Sequence, residues 1–395
     1  QIYDYQTDNF IKNINNKILS VNNYNKEINV KIIHDNFPNA FVTENDDLFI
    51  SSGLLINSPD YIALLAVIAH EIGHLENYHV KQRKKEIENL KSVNSFGNLL
   101  AVAGSMIIQR PELINTIVFN QTAINNLYLK FSKEQEIEAD IYAVNTLDKL
   151  KLPKKSVITF LNILENKTKF DQIDDELKKF STHPLFKERY EILEYKEENN
   201  FENIDISIQN EFDFIKAKFM AYTDNKELNK LSGDQKMYYQ AIQLSLSGNL
   251  LESLKKLNIL IFKYEDNFFL LETKADILLS FGYKNEAIDF YKQVLQKYPD
   301  NNYVRFNIFI KLNFSNLDIT NAEEMFSNNL KLIQLFPYNV DLLNTYYNLA
   351  FYLDYKEWIN FFKILKLKKY QKKQLKEIYL KTKDNNLKKI IKIYI

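Results

Sequence analysis

Apolar positions recur at helical spacing over residues 8–20, which predicts an amphipathic helix near the start of the chain. Short β-like segments follow at Ile28–Ile33, Ala40–Thr43 and Leu48–Ser51, with the polar run Glu44–Asp47 as the turn between the last two. In Asn57-Ser58-Pro59-Asp60 the serine reads as an N-cap and the proline as the first helical position. The helix opened there is expected to run through Tyr61 to about Lys84, and its apolar run Ile62–Ala69 predicts burial. Arg110-Pro111-Glu112 marks a break, and Ser132-Lys133-Glu134-Gln135 fits a capping box that opens a helix bearing Glu136 and Asp140. Pro153 and Pro184 separate the helices that follow. Between these elements, Ser95–Ile108 and Ile114–Val118 predict a helical hairpin near the cleft, a packed element or else a lid or membrane-surface contact.

From about residue 231 the pattern becomes a helical repeat. Gly248 and Gly282 lie one 34-residue tetratricopeptide (TPR) period apart, and on it Ala241 aligns with Ala275, Ser253 with Ala287, and Asp266-Asn267 with Asp300-Asn301. Small residues at those positions let paired helices approach. Residues 302–360 read as further degenerate repeats, with Phe336-Pro337 ending one unit. The expected layout is a first domain over residues 1–200, a connecting helix over 201–230 and a TPR-like α-solenoid over 231–395, with only seven Gly and seven Pro favouring a mainly α fold. A repeat array offers a concave surface for protein partners, or packs as a purely structural solenoid.

Composition adds exclusions. At 46% hydrophobic and 26% charged residues the chain is globular, and zero net charge removes the basic footprint of a nucleic-acid binder. Absent cysteine excludes disulfides and thiolate chemistry. The longest apolar run, Phe96–Ile108, is interrupted and falls short of the ~18 residues of a membrane span. Residue 1 is Gln rather than Met, which is compatible with an export signal upstream. Residues 361–395 hold twelve lysines against Glu377 and Asp384 alone. There Ile364, Leu365, Leu367, Leu375, Ile378, Tyr379 and Leu380 are expected to cap the last repeat. The lysines, Lys368, Lys369, Lys372 and Lys373 among them, would form a solvated outer face or a contact for anionic lipid or an acidic partner.

The chemistry concentrates in His70-Glu71-Ile72-Gly73-His74. The histidines, one helical turn apart, reach one point, and two imidazoles plus a carboxylate leave a tetrahedral zinc with one open position for water. Glu71 projects about 100° away, beside the metal, as suits a general base. With five histidines in the chain, a chance match is expected on the order of a few times per thousand such sequences. His79 sits about 180° round a continuous helix from His70, so it cannot share that ion and takes a packing or supporting role. Spacing alone does not choose a third ligand among Glu134, Glu136, Glu138 and Asp140.

Asn39-Ala40-Phe41, Gly53-Leu54-Leu55, His70-Glu71-Ile72-Gly73-His74, Glu136-Ile137-Glu138-Ala139-Asp140 and Ser181-Thr182-His183-Pro184 with Arg189 stand in one order. That order resembles HtpX-like and CAAX-processing metallopeptidases, and with C-terminal TPRs the whole is similar to the BepA-type periplasmic metallopeptidases. The resemblance implies a zincin-like α+β catalytic domain with one zinc per chain, Glu136 as third ligand, and Asp140 orienting a ligand histidine. It implies His183 as a regulatory fourth ligand or oxyanion helper, Arg189 as a substrate or oxyanion contact, and Asn39, Ala40 and Phe41 as a substrate-binding edge strand. By the same resemblance the protein is periplasmic, cleaves unfolded or misassembled proteins, and meets outer-membrane assembly machinery through its TPRs. The alternative is a non-catalytic or latent chaperone whose metal site is closed by His183. One departure is that Thr43-Glu44-Asn45-Asp46-Asp47 replaces the family's glycine-containing turn.

Overall fold

The computed structural model describes residues 2–82, 84–85, 131–170, 189–192, 204–311, 317–366 and 372–395. The expected hairpin of Ser95–Ile108 and Ile114–Val118, the break at Arg110-Pro111-Glu112, and Pro184, Leu367, Lys368 and Lys369 lie outside these residues. The fold is mainly α, with one small sheet and helical repeats, and divides into two compact units, Gln1–Gln243 and Leu244–Ile395.

In the first unit, Asp4 caps helix α1 (Tyr5–Asn22) by accepting from the Thr7 backbone N–H, and Phe10, Ile11, Ile14 and Ile18 form its buried stripe. Strands β1 (Asn29–Ile33), β2 (Ala40–Val42) and β3 (Asp47–Ser51) make a sheet of order β1-β3-β2, with β1 parallel and β2 antiparallel to β3. Period-two alternation buries Ile32, Ala40, Val42, Leu48 and Ile50, while Phe41 stacks on its cross-strand partner Phe49 at 4.8 Å. The β2–β3 turn needs no glycine because Asp46 takes the left-handed position, at φ 58°.

A helix not anticipated from the sequence, α2 (Ser52–Asn57), follows the sheet. A Cβ on Gly53 would stand 2.4 Å from the Asn36 carbonyl oxygen, so only glycine fits there. Ser58 ends α2, its hydroxyl donating to the Leu54 carbonyl, and Asp60 is the N-cap of α3 (Tyr61–Glu76). The expected start at Ser58 and Pro59 is thereby corrected: a carboxylate two residues later takes the Ala63 N–H at 2.8 Å. The expected single helix to Lys84 is corrected too. Helix α3 stops at Glu76, Tyr78 turns left-handed at φ 59°, and helix resumes at His79.

Helix α3 is buried at nearly every position, as its apolar first half, Tyr61 to Ala69, requires. Against it packs α4 (Lys133–Leu150), opened by the expected capping box of Ser132 and Gln135. The crossing is close. A Cβ on Gly73 would lie 3.0 Å from Tyr142 Cβ and 3.1 Å from Ala139 Cα. Helix α5 (Lys155–Phe170) is pinned to the start of α3 by the Ser156 hydroxyl, which donates to Asp60 at 2.6 Å. Helix α6 (Ile206–Tyr222), inside the segment expected to be connecting, packs on α1, α2 and α3, and its buried Lys218 pairs with Asp4 at 2.8 Å. Helix α7 (Gly233–Leu246) runs past Gln243, the last residue of the first unit.

The second unit begins with α8 (Leu250–Lys263), α9 (Phe268–Ser280), α10 (Lys284–Lys297) and α11 (Asn302–Lys311). The 34-residue period has a structural counterpart. Gly248 and Gly282 take φ 87° and 88° after alternate helices, α7 and α9, and Asn267 and Asn301 both accept backbone N–H groups at helix starts. Ala241, Ala275, Ser253 and Ala287 are fully buried. Helices α12 (Ile319–Asn328), α13 (Lys331–Leu335), α14 (Val340–Tyr352), α15 (Lys356–Lys366), α16 (Lys372–Lys381) and α17 (Asn385–Ile391) share an aromatic-rich core around Phe326, Tyr346, Trp358 and Phe361. Leu375 is buried in it, with Ile364, Leu365, Ile378 and Tyr379 packed alongside, whereas Leu380, expected on the same face, is exposed. It follows Ile378 by two, which on a helix turns it about 200° away. No helix among the described residues is long and apolar enough to cross a membrane.

Because the neighbours of Gly73 are backbone and Cβ atoms rather than flexible side-chain ends, Gly73→Val should destabilise the first unit by about 1–3 kcal/mol through overpacking. Denaturant unfolding checks this; an unchanged midpoint would contradict the close crossing.

Candidate metal centre

The α3/α4 crossing brings two pairs of polar side chains face to face. His70 and His74 lie one turn apart on α3, Glu136 and Asp140 one turn apart on α4, and all four are buried. The His70 and His74 Nε2 atoms stand 3.1 Å apart. Glu136 reaches both, its Oε2 at 3.4 Å from His70 Nε2 and its Oε1 at 3.6 Å from His74 Nε2. Among the described residues His70, His74 and Glu136 form a group whose ligand atoms all fall within 4.8 Å of one another. Two imidazole nitrogens and one carboxylate are the donor set that suits a four-coordinate zinc with one exchangeable position, so these residues fit a divalent metal. Of the four acids left open by spacing, this geometry brings in Glu136 and Asp140; Glu134 is exposed and Glu138 turns to His79 at 2.9 Å.

A second layer holds His70. Its Nδ1 donates to Asp140 Oδ1 at 2.8 Å. Arg189 in turn grips Asp140 with two N–H groups, each at 2.7 Å, and its Nη1 lies 3.4 Å from Glu136. The guanidinium expected at a substrate or oxyanion is thus engaged with two buried carboxylates. Burial pushes the His70 pKa down, but the Asp140 and Glu136 carboxylates outweigh this and leave it above the ordinary histidine value. For Asp140, burial raises the pKa and the adjacent Arg189 and His70 outweigh it, so the carboxyl stays below the usual range. For Arg189 burial lowers the pKa, but the Asp140 carboxylate, with Glu136 and Glu71 behind it, outweighs this and holds the guanidinium more firmly protonated.

Glu71 is buried and lines one cavity of about 110 Å³ together with His70, Asp140 and Arg189. Asn39 and Ala40, at the β2 edge of the sheet, border the same space, and Val144, Leu147, Phe160 and Leu161 make its apolar wall. Phe41 points instead at Phe49. His183 lies outside the described residues. Of two further neighbours of the site, Phe131 was not singled out in the sequence, and His79 was expected in a packing or supporting role but on the far side of a continuous helix. Phe131 stacks on His74 at 3.7 Å, and His79 stands with Nδ1 3.0 Å from His74 Nδ1. The only hint of the second was Asn77-Tyr78, a pair able to break the helix and fold His79 back.

Residues 6–197 match the model of peptidase family M48. The chain is 22% identical over 302 residues to the beta-barrel assembly-enhancing protease of Escherichia coli (strain K12), an alignment covering 72% of this chain and 59% of that protein. It is 22% identical over 324 residues to the protein of the same name from Yersinia pestis, covering 78% and 65% respectively. The chain spans about three-fifths of the length of these curated relatives.

The Arg189–Asp140 pair is buried, so removing one partner strands the other's charge. Arg189→Met should cost about 3–5 kcal/mol, and Asp140→Asn combined with it should recover a large part. Since the Asp140 pKa is depressed in the fold, its contribution is present above the ordinary carboxyl value and is lost as pH falls toward the folded value. A double-mutant cycle by denaturant unfolding near neutral pH checks this; strictly additive losses would contradict the pairing.

Proposed function

From the match of residues 6–197 to the model of peptidase family M48, we propose that this chain is a zinc-dependent metalloendopeptidase acting on unfolded or misassembled proteins. The observation that carries the reading is the convergence of His70 Nε2, His74 Nε2 and the Glu136 carboxylate beside a cavity that Glu71 also lines. His70, His74 and Glu136 would hold one zinc ion, and that ion when bound supplies Lewis acidity to a water and to the scissile carbonyl. Glu71 accepts the proton of the attacking water and returns it to the leaving amine. Asp140, held by Arg189, keeps His70 with its proton on Nδ1 and its Nε2 lone pair turned inward. Arg189 is on this reading a positioning group that also balances the charge of Glu136. His183 would contribute a fourth ligand or an oxyanion contact.

An extended substrate would add along the β2 edge at Asn39, Ala40 and Phe41, where backbone hydrogen bonds make little demand on sequence. The apolar wall of Val144, Leu147, Phe160 and Leu161 would receive a hydrophobic side chain of the kind an unfolded chain exposes. The matched relatives are by name beta-barrel assembly-enhancing proteases. We extend that to this chain as envelope quality control in the periplasm, with the helical repeats as TPR-like docking surfaces for substrates or outer-membrane assembly machinery. The lysines of residues 361–395 add a cationic surface for a peripheral membrane contact.

Glu71→Gln should retain stoichiometric zinc and a native melting profile while cleavage of an unfolded protein falls by about 10²–10⁴-fold. Time-resolved gel analysis with metal quantification reads both quantities. Full cleavage by Glu71→Gln would contradict the assignment of the base.

A further inference from the structure

The two histidines of the site are supported differently. His70 leans directly on a carboxylate, Asp140. On His74 the corresponding Nδ1 meets the Nδ1 of a third histidine, His79, at 3.0 Å, and His79 Nε2 meets Glu138 Oε2 at 2.9 Å. His79 is buried, whereas Glu138 is 57% exposed at its side chain. The left-handed turn at Tyr78 is what makes this possible, since it folds the chain back after α3 and sets His79 over the last turn.

Proton placement along this chain of groups has one solution once His74 uses Nε2 inward. That nitrogen faces His70 Nε2 and Glu136, so its lone pair must be free for a metal and the His74 proton must sit on Nδ1. His74 Nδ1–H then donates to His79 Nδ1, which must be unprotonated. The His79 proton is therefore on Nε2 and donates to the Glu138 carboxylate. Phe131, stacked on the His74 ring at an interplanar angle of 15°, fixes the plane in which the first of these bonds is made.

We infer that His79 and Glu138 are positioning residues for the metal: a neutral imidazole relay, anchored by a carboxylate at the surface, that holds His74 in its Nδ1–H tautomer and strengthens its grip through Nε2. The inference rests on the reading of His74 as a metal ligand. It gives His79 and Glu138 a role in metal retention that neither the helix spacing nor the donor set assigns them. Outer partners of this kind commonly change metal affinity by about 10–100-fold.

The test is zinc affinity by chelator competition, with melting curves run alongside, for the full chain and for His74→Ala, His79→Leu, His79→Gln and Glu138→Gln. His79→Leu fills the space but accepts no hydrogen bond, and its zinc dissociation constant should rise about 10–100-fold. His79→Gln can accept from His74 Nδ1–H through Oε1 and should restore most of that loss, a rescue that a packing role would not produce. Glu138→Gln, at an exposed position, should fold normally and weaken zinc by less than His79→Leu. Zinc binding by a folded His79→Leu within about twofold of wild type, while His74→Ala loses it, would overturn the relay alone. Unchanged binding by His74→Ala would instead remove the metal reading on which the relay rests. Histidine ¹⁵N shifts of the zinc-loaded wild type decide the matter without any variant: His79 should carry its proton on Nε2, and a proton on Nδ1 overturns the relay.

Discussion

Two helices can bring charged side chains together in a protein interior only where their backbones come close, and here that closeness depends on Gly73 meeting Ala139 and Tyr142. At that point α3 has no side chain, and α4 presents an alanine and a Cβ atom at 3.0 to 3.1 Å from where one would be. His70 stands three residues before Gly73 and His74 one after it, and Glu136 and Asp140 flank Ala139 in the same way, so the crossing sets the distances of the whole cluster. The rest of the first unit serves this crossing. The largely apolar surface of α3 is wrapped by α1, α4, α5, α6 and the sheet, and Asp60 ties α3 to α5 through Ser156.

Burying the carboxylates of Glu71, Glu136 and Asp140, a guanidinium and three imidazoles together is costly unless they are paired. The arrangement meets that demand in two arms. One runs from His70 through Asp140 to Arg189, wholly inside the protein; the other runs from His74 through His79 to Glu138 at the surface. Each arm leaves an Nε2 directed at Glu136. The cavity that Glu71 and the β2 edge border lies beside that point.

Much of this was legible in the sequence, for physical reasons that differ by element. The buried character of α3 followed from its unbroken apolar run, the start of α4 from a capping box, and the helical repeat from glycines that recur where a left-handed turn is required. What escaped was set by competition between equivalent local signals. Ser58 and Asp60 are both good caps, and only the presence of α2 decides that the first ends one helix while the second starts the next. Arg189 does line the cavity, but nothing in its sequence neighbours reveals that it also forks onto Asp140, 49 positions away. His79 was placed on the wrong side of an imagined continuous helix because the break at Tyr78 needs a left-handed non-glycine residue, which propensity does not foresee.

The central claim is that α3 and α4 together hold one zinc ion through His70, His74 and Glu136. X-ray absorption at the zinc edge, on protein purified without added metal and normalised to chain concentration, tests it most directly. The account predicts one zinc per chain with a nitrogen and oxygen first shell near ~2.0–2.2 Å. The outer-shell scattering should correspond to two imidazoles, or to three where His183 closes the remaining position. Substoichiometric metal that cannot be restored by zinc, or a first shell with one imidazole or none, would contradict it.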